Sequence, residues 1–211
     1  MHILKLPSWY SSGSAPMGGV FVRNQAQVLK ENGLNVDILA NVEVAITLDK
    51  WKYFTYPYCA FVSNEDNLTV LRHYFRDLPK LHKINVKLWI KSTFELFEKY
   101  QKKIGNPDLI HVHSVVFGGY VAALIKEKYN IPYIVTEHRG VFGCLCEFAK
   151  DFFEEWQTPL LKKAFSNADY IVPVSDVIQP KIETFLIKKT PIRPISNVLN
   201  TDFFYYKERK N

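Results

Sequence analysis

The chain has 211 residues, a length that fits one large domain or two very small ones. Of these residues 47% are hydrophobic and 23% charged, close to the average of soluble globular proteins. They exclude disorder, collagen and coiled coil as the main description, and no stretch approaches the roughly 20 apolar residues of a membrane helix. The net charge of +6 favours an anionic partner such as a phosphorylated ligand, an acidic lipid surface or nucleic acid.

Cysteine usage and the N-terminus indicate the compartment. Three cysteines leave one unpaired in any disulfide scheme, and the C-x-C pair of Cys144 and Cys146 is too sparse for a zinc site with four ligands. Residues 1–7 lack the charged-then-apolar order of a signal peptide. We therefore expect a soluble protein of the cytoplasm.

Hydrophobic periodicity predicts a strand over residues 2–6 (HILKL), followed by a loop rich in serine and glycine. Apolar positions then recur at helical spacing over residues 19–32, and Gly33 is a typical helix stop. Residues 36–40 (VDILA) predict the second strand. The chain thus opens with the order strand, glycine loop, helix, strand.

The rest of the chain continues this alternation, except that residues 51–61 are rich in aromatic side chains and fit neither pattern clearly. The other predicted elements are strands 68–74, 109–113, 133–137, 170–174 and 192–195 and helices 84–104, 118–129, 147–166 and 175–186, the last kinked or delayed by Pro180. Because such strands need crossover connections, the sequence predicts an α/β fold. We expect a Rossmann-like, doubly wound, mostly parallel sheet with helices on both faces.

The end of the chain has a different character. Residues 200–211 include four consecutive aromatic side chains, and exposed aromatics usually pack on something. We expect residues 1–199 to form one domain and residues 200–211 to begin a linker to a second domain absent from this chain.

Ligands of open parallel sheets bind at the carboxyl ends of the strands, so the loops there are candidate sites. Gly18 and Gly19 stand where the first such loop meets a helix start, and bare amides at such a turn can bind phosphate. An ordinary helix cap in a flexible loop is the alternative. Because the loop is neither G-x-G-x-x-G nor a P-loop, a nicotinamide cofactor and a Walker-type nucleotide are disfavoured.

The densest polar cluster is Thr136-Glu137-His138-Arg139, at the end of a predicted strand. A histidine beside a carboxylate and a guanidinium can donate to a sugar hydroxyl, hold an anion or act in acid–base chemistry. A solvated strand end is the alternative.

His111 and His113 share one face of a strand. Two imidazoles do not make a metal site, and a third ligand would have to come from Glu137 or His138 on a neighbouring strand. Histidines satisfied by hydrogen bonds are the alternative, and we predict no metal.

Lys83, Lys87 and Lys91 repeat every four residues on one face of a predicted helix, beside Trp89 and Ile90. A basic stripe next to exposed aromatics is one way to contact an anionic membrane, and a plain solvated face is the other reading. No basic arm, recognition helix or aromatic RNA-binding motif supports nucleic-acid binding.

Taken in this order, several segments make the chain resemble the N-terminal domain of glycosyltransferase family 4, the retaining enzymes of the GT-B fold. The resemblance covers most of the chain. The segments are residues 4–10 (LKLPSWY), 18–26 (GGVFVRNQA), 107–113 (PDLIHVH), 131–138 (IPYIVTEH), 168–175 (ADYIVPVS) and 197–200 (NVLN).

The resemblance implies two Rossmann-like domains facing a cleft, with the acceptor bound mainly by the N-terminal one and the nucleotide-sugar mainly by the C-terminal one. Gly18 and Gly19 match the family's loop near the donor diphosphate, and His138, the candidate catalytic residue, matches its histidine near the transferred sugar. The candidate acceptor contacts are Trp9, Arg23, His113, Glu137 and Arg139. Asn200 stands where the family's hinge usually has an aspartate, which leaves the hinge contact open.

We therefore expect the acceptor-side domain of a retaining glycosyltransferase that transfers a sugar from a nucleotide-sugar to a glycan or lipid-linked acceptor, in bacterial-type polysaccharide or glycolipid assembly. It should need no cofactor and be inactive without its C-terminal domain. We expect it in the cytoplasm, with a peripheral contact on the inner face of the membrane left open. Two alternatives are a stand-alone, non-catalytic glycan- or lipid-binding module and a metal hydrolase built on His111, His113 and His138.

Overall fold

The computed structural model describes residues 1–12, 15–46, 50–142, 153–197 and 206–207. The strands are β1 (His2–Pro7), β2 (Asn35–Val44), β3 (Phe61–Glu65), β4 (Leu68–Arg76), β5 (Leu109–His113), β6 (Tyr133–Glu137) and β7 (Tyr170–Pro173). The α-helices are α1 (Val20–Glu31), α2 (Lys50–Thr55), α3 (His82–Ile104), α4 (Tyr120–Tyr129), α5 (Thr158–Ser166) and α6 (Gln179–Glu183).

The strands form one sheet in the order β3-β4-β2-β1-β5-β6-β7. Neighbouring strands are parallel, except that β3 runs antiparallel to β4 at one edge. β2 pairs with one edge of β1, and β5, which comes later in the chain, pairs with the other edge. This reversal is a topological switch point, where doubly wound sheets bind ligands.

Side chains alternate between the two faces of the sheet, and both faces are covered by helices. One core packs α1 against the sheet and includes Ile3, Val22 and Ile38. The other packs α3, α4 and α5 against the opposite face and includes Leu4, Phe97 and Phe165. The predicted Rossmann-like architecture is therefore confirmed.

Two strands begin and end where the sequence places them, β5 and β6. In contrast, β2 continues four residues past its predicted end and pairs with β4 as far as Val44. Asn41 is polar but buried in this extension, where its amide donates to the Thr93 hydroxyl at 2.7 Å. The unassigned residues 51–61 contain most of α2 and the start of β3.

The prediction of one helix over residues 147–166 is wrong for residues 153–157. There Glu155–Gln157 forms a separate 3₁₀ turn, and the amide of Glu154 donates to the Gln157 side chain at 3.0 Å. Helix α5 then starts at Thr158, with a proline in its first turn. Residues 143–152 lie outside the described residues.

The C-terminal predictions are met only in part. The helix predicted over residues 175–186 is a 3₁₀ turn followed by the short α6, which carries Pro180 in its first turn and so begins late. The strand predicted over residues 192–195 is reduced to a single bridge between Ile192 and Ile171, so the prediction of a full strand is wrong.

Several predictions fall outside the described residues: the domain boundary at residues 199 and 200, the aromatics Phe203 to Tyr205, and the Cys144–Cys146 pair. Within the described ranges, no helix combines the length and the apolar character needed to cross a bilayer.

Candidate functional site

The candidate site lies at the carboxyl ends of β1, β5 and β6, at the switch point of the sheet. Ser8 joins the loops that follow β1 and β5. Its hydroxyl donates to the Ser114 carbonyl at 2.7 Å and accepts from the Gly118 amide at 3.1 Å. The two loops that border the crevice therefore hold each other in place.

Gly18 and Gly19 lie directly before α1. Gly19 has φ +64°, and a Cβ there would come within 2.9 Å of the Trp9 carbonyl oxygen, so conformation and space both require glycine. No acceptor among the described residues bonds the amides of Gly19 and Phe21. The helix thus begins with bare amides at its positive end, an arrangement suited to an anion.

Arg72 of β4 anchors the loop that leads to this turn. One terminal nitrogen of its buried guanidinium donates to both carboxylate oxygens of Glu65, at 2.7 and 2.8 Å. The other terminal nitrogen donates to the Ser11 carbonyl at 2.6 Å. The guanidinium also lies over the Tyr10 ring, 5.3 Å from the centroid. Burial, reinforced by Glu65, raises the pKa of Tyr10 to about 12, so this phenol stays protonated.

Glu137 is fully buried and organises two loops. Its carboxylate accepts from the amides of Val115, His138 and Arg139 at 2.8 to 3.0 Å, and from the Ser114 hydroxyl at 3.2 Å. Burial raises the pKa of Glu137, while these hydrogen bonds act in the opposite direction. The direct acceptor contact predicted for Glu137 stays a prediction, since within this domain the carboxylate is occupied in holding the loops.

The imidazole of His138 lies between two other rings. The Phe21 ring is 4.0 Å away between centroids, and the His113 ring is 5.3 Å away and nearly parallel. Burial, assisted by the positive charge of Lys5, lowers the pKa of His138 to about 4, so the ring is neutral at physiological pH. Because Phe21 belongs to the first turn of α1, His138 and the glycine turn lie at the same crevice.

Trp9 and Arg139 lie together, with the guanidinium 5.9 Å from the centre of the indole. Both line a cavity of about 280 Å³ and a more open one of about 410 Å³ that also contacts His138. The smaller cavity has further lining residues that the sequence did not indicate, among them Glu43, His82, Asn85 and Phe117.

The structure does not bring Arg23 to these residues. Its guanidinium lies 3.6 Å from the Asp66 carboxylate in the β3–β4 turn. Arg23 follows Phe21 by two residues in α1, so its side chain leaves the helix more than half a turn away from that of Phe21. His113 is nearly inaccessible, at 1% exposure. Acceptor contacts by Arg23 and His113 therefore stay predictions, and His113 reaches the crevice through His138.

His111 and His113 share a face as predicted, but their ring nitrogens are already engaged. Nζ of Lys5 lies 2.8 Å from His111 Nδ1 and 3.2 Å from His113 Nε2. In the part of the chain that the structure describes, no three His, Cys, Asp or Glu side chains are arranged to hold a metal ion. The geometry gives the metal-hydrolase alternative no support.

The predicted basic stripe is exposed along one side of α3 and consists of Lys83, Lys87 and Lys91. The prediction that Trp89 is an exposed neighbour is wrong, because its indole is buried and donates to the Asn41 carbonyl at 3.0 Å. The exposed apolar neighbours are instead Ile84 and Leu88.

With this geometry established, comparison with known proteins decides the family. The model of Glycosyltransferase Family 4 matches residues 18–203. The chain belongs to glycosyltransferase family 4. TuaC of Bacillus subtilis (strain 168), provisionally assigned as a teichuronic acid biosynthesis glycosyltransferase, is 24% identical over 202 residues. These residues are 92% of this chain and 49% of TuaC, so the chain spans about half the length of this relative.

Solved structures agree on the fold. A sucrose-phosphate synthase from Thermosynechococcus elongatus matches 97% of this chain with a TM-score of 0.69 at 18% identity, using 50% of its own length. Arabidopsis thaliana UGT89C1, solved with UDP-L-rhamnose, matches 94% with a TM-score of 0.56 at 14% identity, again over 49% of its length. The chain is thus the Rossmann-like, N-terminal half of the GT-B fold.

Proposed function

We propose that this domain binds the acceptor in a retaining glycosyltransferase, which moves a sugar from a nucleotide-sugar to a glycan or lipid-linked acceptor. The observation that carries the proposal is the contact between Phe21 and His138, which joins the first turn of α1 to the end of β6 at one crevice. Family membership supports the class of reaction, and the resemblance to TuaC supports an acceptor in bacterial polysaccharide assembly.

The donor diphosphate is placed at the amides of Gly19 and Phe21. As the nucleoside diphosphate leaves, negative charge grows on the phosphate oxygens while the anomeric carbon gains positive character. Amides fixed at a helix N-terminus stabilise that charge without reorganising. Gly18 lets the loop pass close to the backbone before it, since a Cβ there would lie 3.2 Å from the Tyr10 carbonyl oxygen. The nucleotide-sugar is a substrate, and the reaction as proposed needs no further cofactor.

His138 is the proposed catalytic residue beside the transferred sugar. A neutral imidazole offers one hydrogen-bond donor and one acceptor, and burial keeps the pKa of His138 near 4, so that the ring remains neutral. Packing between Phe21 and His113 fixes its plane. His138 therefore orients the sugar ring rather than transferring a proton at neutral pH.

The acceptor is placed in the cavity beside Trp9 and Arg139. An indole provides a flat apolar surface for the face of a sugar ring, and a guanidinium donates to hydroxyl or anionic groups. Glu137 supports this arrangement by holding the backbone of Arg139 at 2.9 Å. Arg23 is assigned to the outer edge of the acceptor path.

A second domain is required to complete the cleft. One wall cannot exclude water or orient two substrates, so we expect the domain to be inactive without its C-terminal partner. UGT89C1, whose fold this chain matches over about half its length, was solved with a nucleotide-sugar, which supports the same class of donor here.

A peripheral contact with the inner face of the membrane is proposed for the start of α3. Three exposed lysines on this helix alternate with Ile84 and Leu88, which are 46% and 41% exposed. Cationic and apolar side chains on one surface helix favour an anionic bilayer. This location is cytoplasmic and would present the cavity to a lipid-linked acceptor.

The deciding experiment measures release of nucleoside diphosphate from a panel of nucleotide-sugars by the complete enzyme, with and without acceptor glycolipid. We expect release that depends on the acceptor, and a loss of about a hundredfold in His138→Ala, the size expected when a group that positions the substrate is removed. The control, Lys102→Ala, removes an exposed side chain near the end of α3, away from the cavity, and should leave release unchanged. Acceptor binding with no release for any donor would favour the alternative, a non-catalytic glycan- or lipid-binding module.

A further inference from the structure

Behind His138 lies a buried lysine with an unusual set of neighbours. Lys5 is fully buried in the centre of the sheet, and no carboxylate lies against it among the described residues. Its ammonium nitrogen instead contacts the side-chain oxygen of Gln25, Nδ1 of His111 and Nε2 of His113. Burial lowers the pKa of Lys5 well below its ordinary value, because no carboxylate offsets the cost of burying the charge.

The hydrogen bonds around Lys5 have one assignment for the ammonium form and the reverse one for the neutral amine. An ammonium group has three protons and no acceptor, and its three neighbours are all able to accept. Burial lowers the pKa of His111 and of His113 well below the ordinary value, so both rings are neutral and each carries one proton. Since each uses one nitrogen to accept from Lys5, its proton must sit on the other nitrogen.

The direction of the next bonds follows from this assignment. His111 donates from Nε2 to the Thr136 hydroxyl oxygen at 2.7 Å. His113 donates from Nδ1 to Nε2 of His138 at 3.0 Å. His138 therefore accepts at Nε2 and keeps its own proton on Nδ1.

Nδ1 of His138 is shielded from solvent and has no hydrogen-bond partner in the described part of the chain. A buried donor without an acceptor costs about 1 to 3 kcal/mol. An oxygen atom brought by a ligand, with a small adjustment of the ring, would supply the missing bond.

We propose that Lys5 remains an ammonium group among its three acceptors and, acting through His113, fixes His138 in the tautomer that carries its proton on Nδ1, so that the crevice presents a donor to an oxygen of the bound sugar. Lys5 and His113 are positioning residues in this scheme. The sugar oxygen is part of the inference that rests on the proposed function. The tautomer itself rests on the contacts of Lys5, His113 and His138 and on the ammonium form of Lys5.

The ammonium form of Lys5 is essential to the direction. A neutral amine would have a lone pair able to accept from Nε2 of His113. The chain would then reverse, with His138 donating from Nε2 and exposing a bare acceptor at Nδ1. The two states are chemically distinct, and only one of them offers a proton to a hydroxyl or ring oxygen.

The test is the ring-nitrogen NMR spectrum of ¹⁵N-histidine-labelled protein at pH 7.5, in which protonated and bare nitrogens have separate shifts. The His138 signals are identified by their loss in His138→Gln. We expect a protonated Nδ1 and a bare Nε2 for His138. A proton on Nε2 overturns the inference.

Two variants test the path from Lys5. Lys5→Met removes all three donors at nearly constant volume, and His113→Phe keeps the stacked ring but removes its proton. Both should move the His138 proton to Nε2 in most molecules, whereas the exposed Lys102→Met should not. An unchanged His138 tautomer in a folded Lys5→Met or His113→Phe protein overturns the positioning role, and the wild-type spectrum decides the tautomer if neither variant folds.

A kinetic arm separates this inference from the proposed function. In the complete enzyme, Lys5→Met should lower kcat about tenfold with little change in donor KM, the size typical of a second-layer positioning residue. If His138→Ala transfers normally, the proposed role of His138 fails whatever its tautomer. If His138→Ala is inactive but His138 of the wild-type protein carries its proton on Nε2, only the inference fails.

Discussion

The Phe21 ring lies over the His138 imidazole, with 4.0 Å between the ring centroids and 33° between the planes. Phe21 belongs to the first turn of α1, and His138 follows the last residue of β6. The position of the helix-start amides and the position of the imidazole are therefore set by one contact.

Phe21→Ala should lower kcat about tenfold, because His138 loses one of its two packing faces and the geometry of the crevice loosens. Stability should fall by about 1 kcal/mol or more, the scale of an aromatic pair. Steady-state kinetics and urea unfolding measure both effects. Phe54→Ala, at an exposed aromatic of α2, is the control, and equal kinetics in both variants would contradict the assignment.

Gly19→Ala should raise donor KM and reduce stability, because the new Cβ meets the Trp9 carbonyl at 2.9 Å and the residue must keep φ +64°. Gly33→Ala is a matched control, since Gly33 also has a positive φ, of +81°, but has open space around it. Each should lose about 1 kcal/mol from backbone strain, and only Gly19→Ala should change the kinetics. A normal donor KM in Gly19→Ala would count against phosphate binding at this turn.

The free energy of unfolding should fall as the pH is lowered from about 6.5 towards 4. Burial lowers the pKa of His138 to about 4 and also lowers the pKa of His111 and of His113. Between these pH values the unfolded chain binds protons that the folded chain does not, so this stability is fully present above about pH 6.5.

The measurement is urea unfolding between pH 4.5 and 7.5, a range of about three units around the ordinary histidine pKa. His138→Asn should flatten the decline, because the substituted residue has no proton to gain. His82→Asn is the control at an exposed histidine. A decline as steep in His138→Asn as in the wild type would refute the contribution of His138.

Arg72→Met should destabilise the protein by about 2 kcal/mol, less than the roughly 3 to 5 kcal/mol of a fully buried ion pair that loses one partner, because Glu65 is partly exposed. It also frees the Ser11 carbonyl and so loosens the loop before the glycine turn. We expect a higher donor KM. Arg76→Met, on the same strand but bonded to the Tyr53 carbonyl, should leave that KM unchanged, and a parallel rise there would show that the effect is general.

Replacing the three stripe lysines Lys83, Lys87 and Lys91 with glutamine should weaken binding to vesicles containing anionic lipid by about a hundredfold, at about 1 kcal/mol per lysine, as measured by co-sedimentation. The matched control replaces Lys99, Lys102 and Lys103 near the other end of α3, which changes the net charge equally. Binding that is independent of anionic lipid, or equally reduced in the control, would contradict a contact through the start of α3.

The order of most elements could be read from the sequence because local patterns determine them. β5 and β6 are short apolar runs that directly follow Pro107-Asp108 and Ile131-Pro132, so their bounds are clear. β3 is not evident from the sequence because apolar and polar residues do not alternate along it: Val62 is 41% exposed, whereas Ser63 and Glu65 lie on the less exposed side. Asp66 and Asn67, with φ +50° and +64°, form the two-residue turn that joins β3 to β4, and this pair was the available hairpin signal.

Some residues of the candidate site could likewise be predicted from the sequence, and others could not. Gly18, Gly19 and His138 could be found because their residue types stand at strand and helix ends, where parallel sheets bind ligands. The role of Lys5 could not be found in this way. Its importance depends on α1 covering that face and on histidines more than a hundred positions later, which sequence spacing does not encode.

The central place of β1 has a consequence for how the molecule opens. Lys5 pairs with His111 across the middle of seven strands, whereas β3 and β7 lie at the edges. Amide hydrogen exchange should accordingly be slowest in β1 and β5, since edge strands detach at lower free energy than central ones. His111 and His113 of β5 thus belong to the last cooperative unit to unfold, and local opening of the edge strands leaves their protons in place.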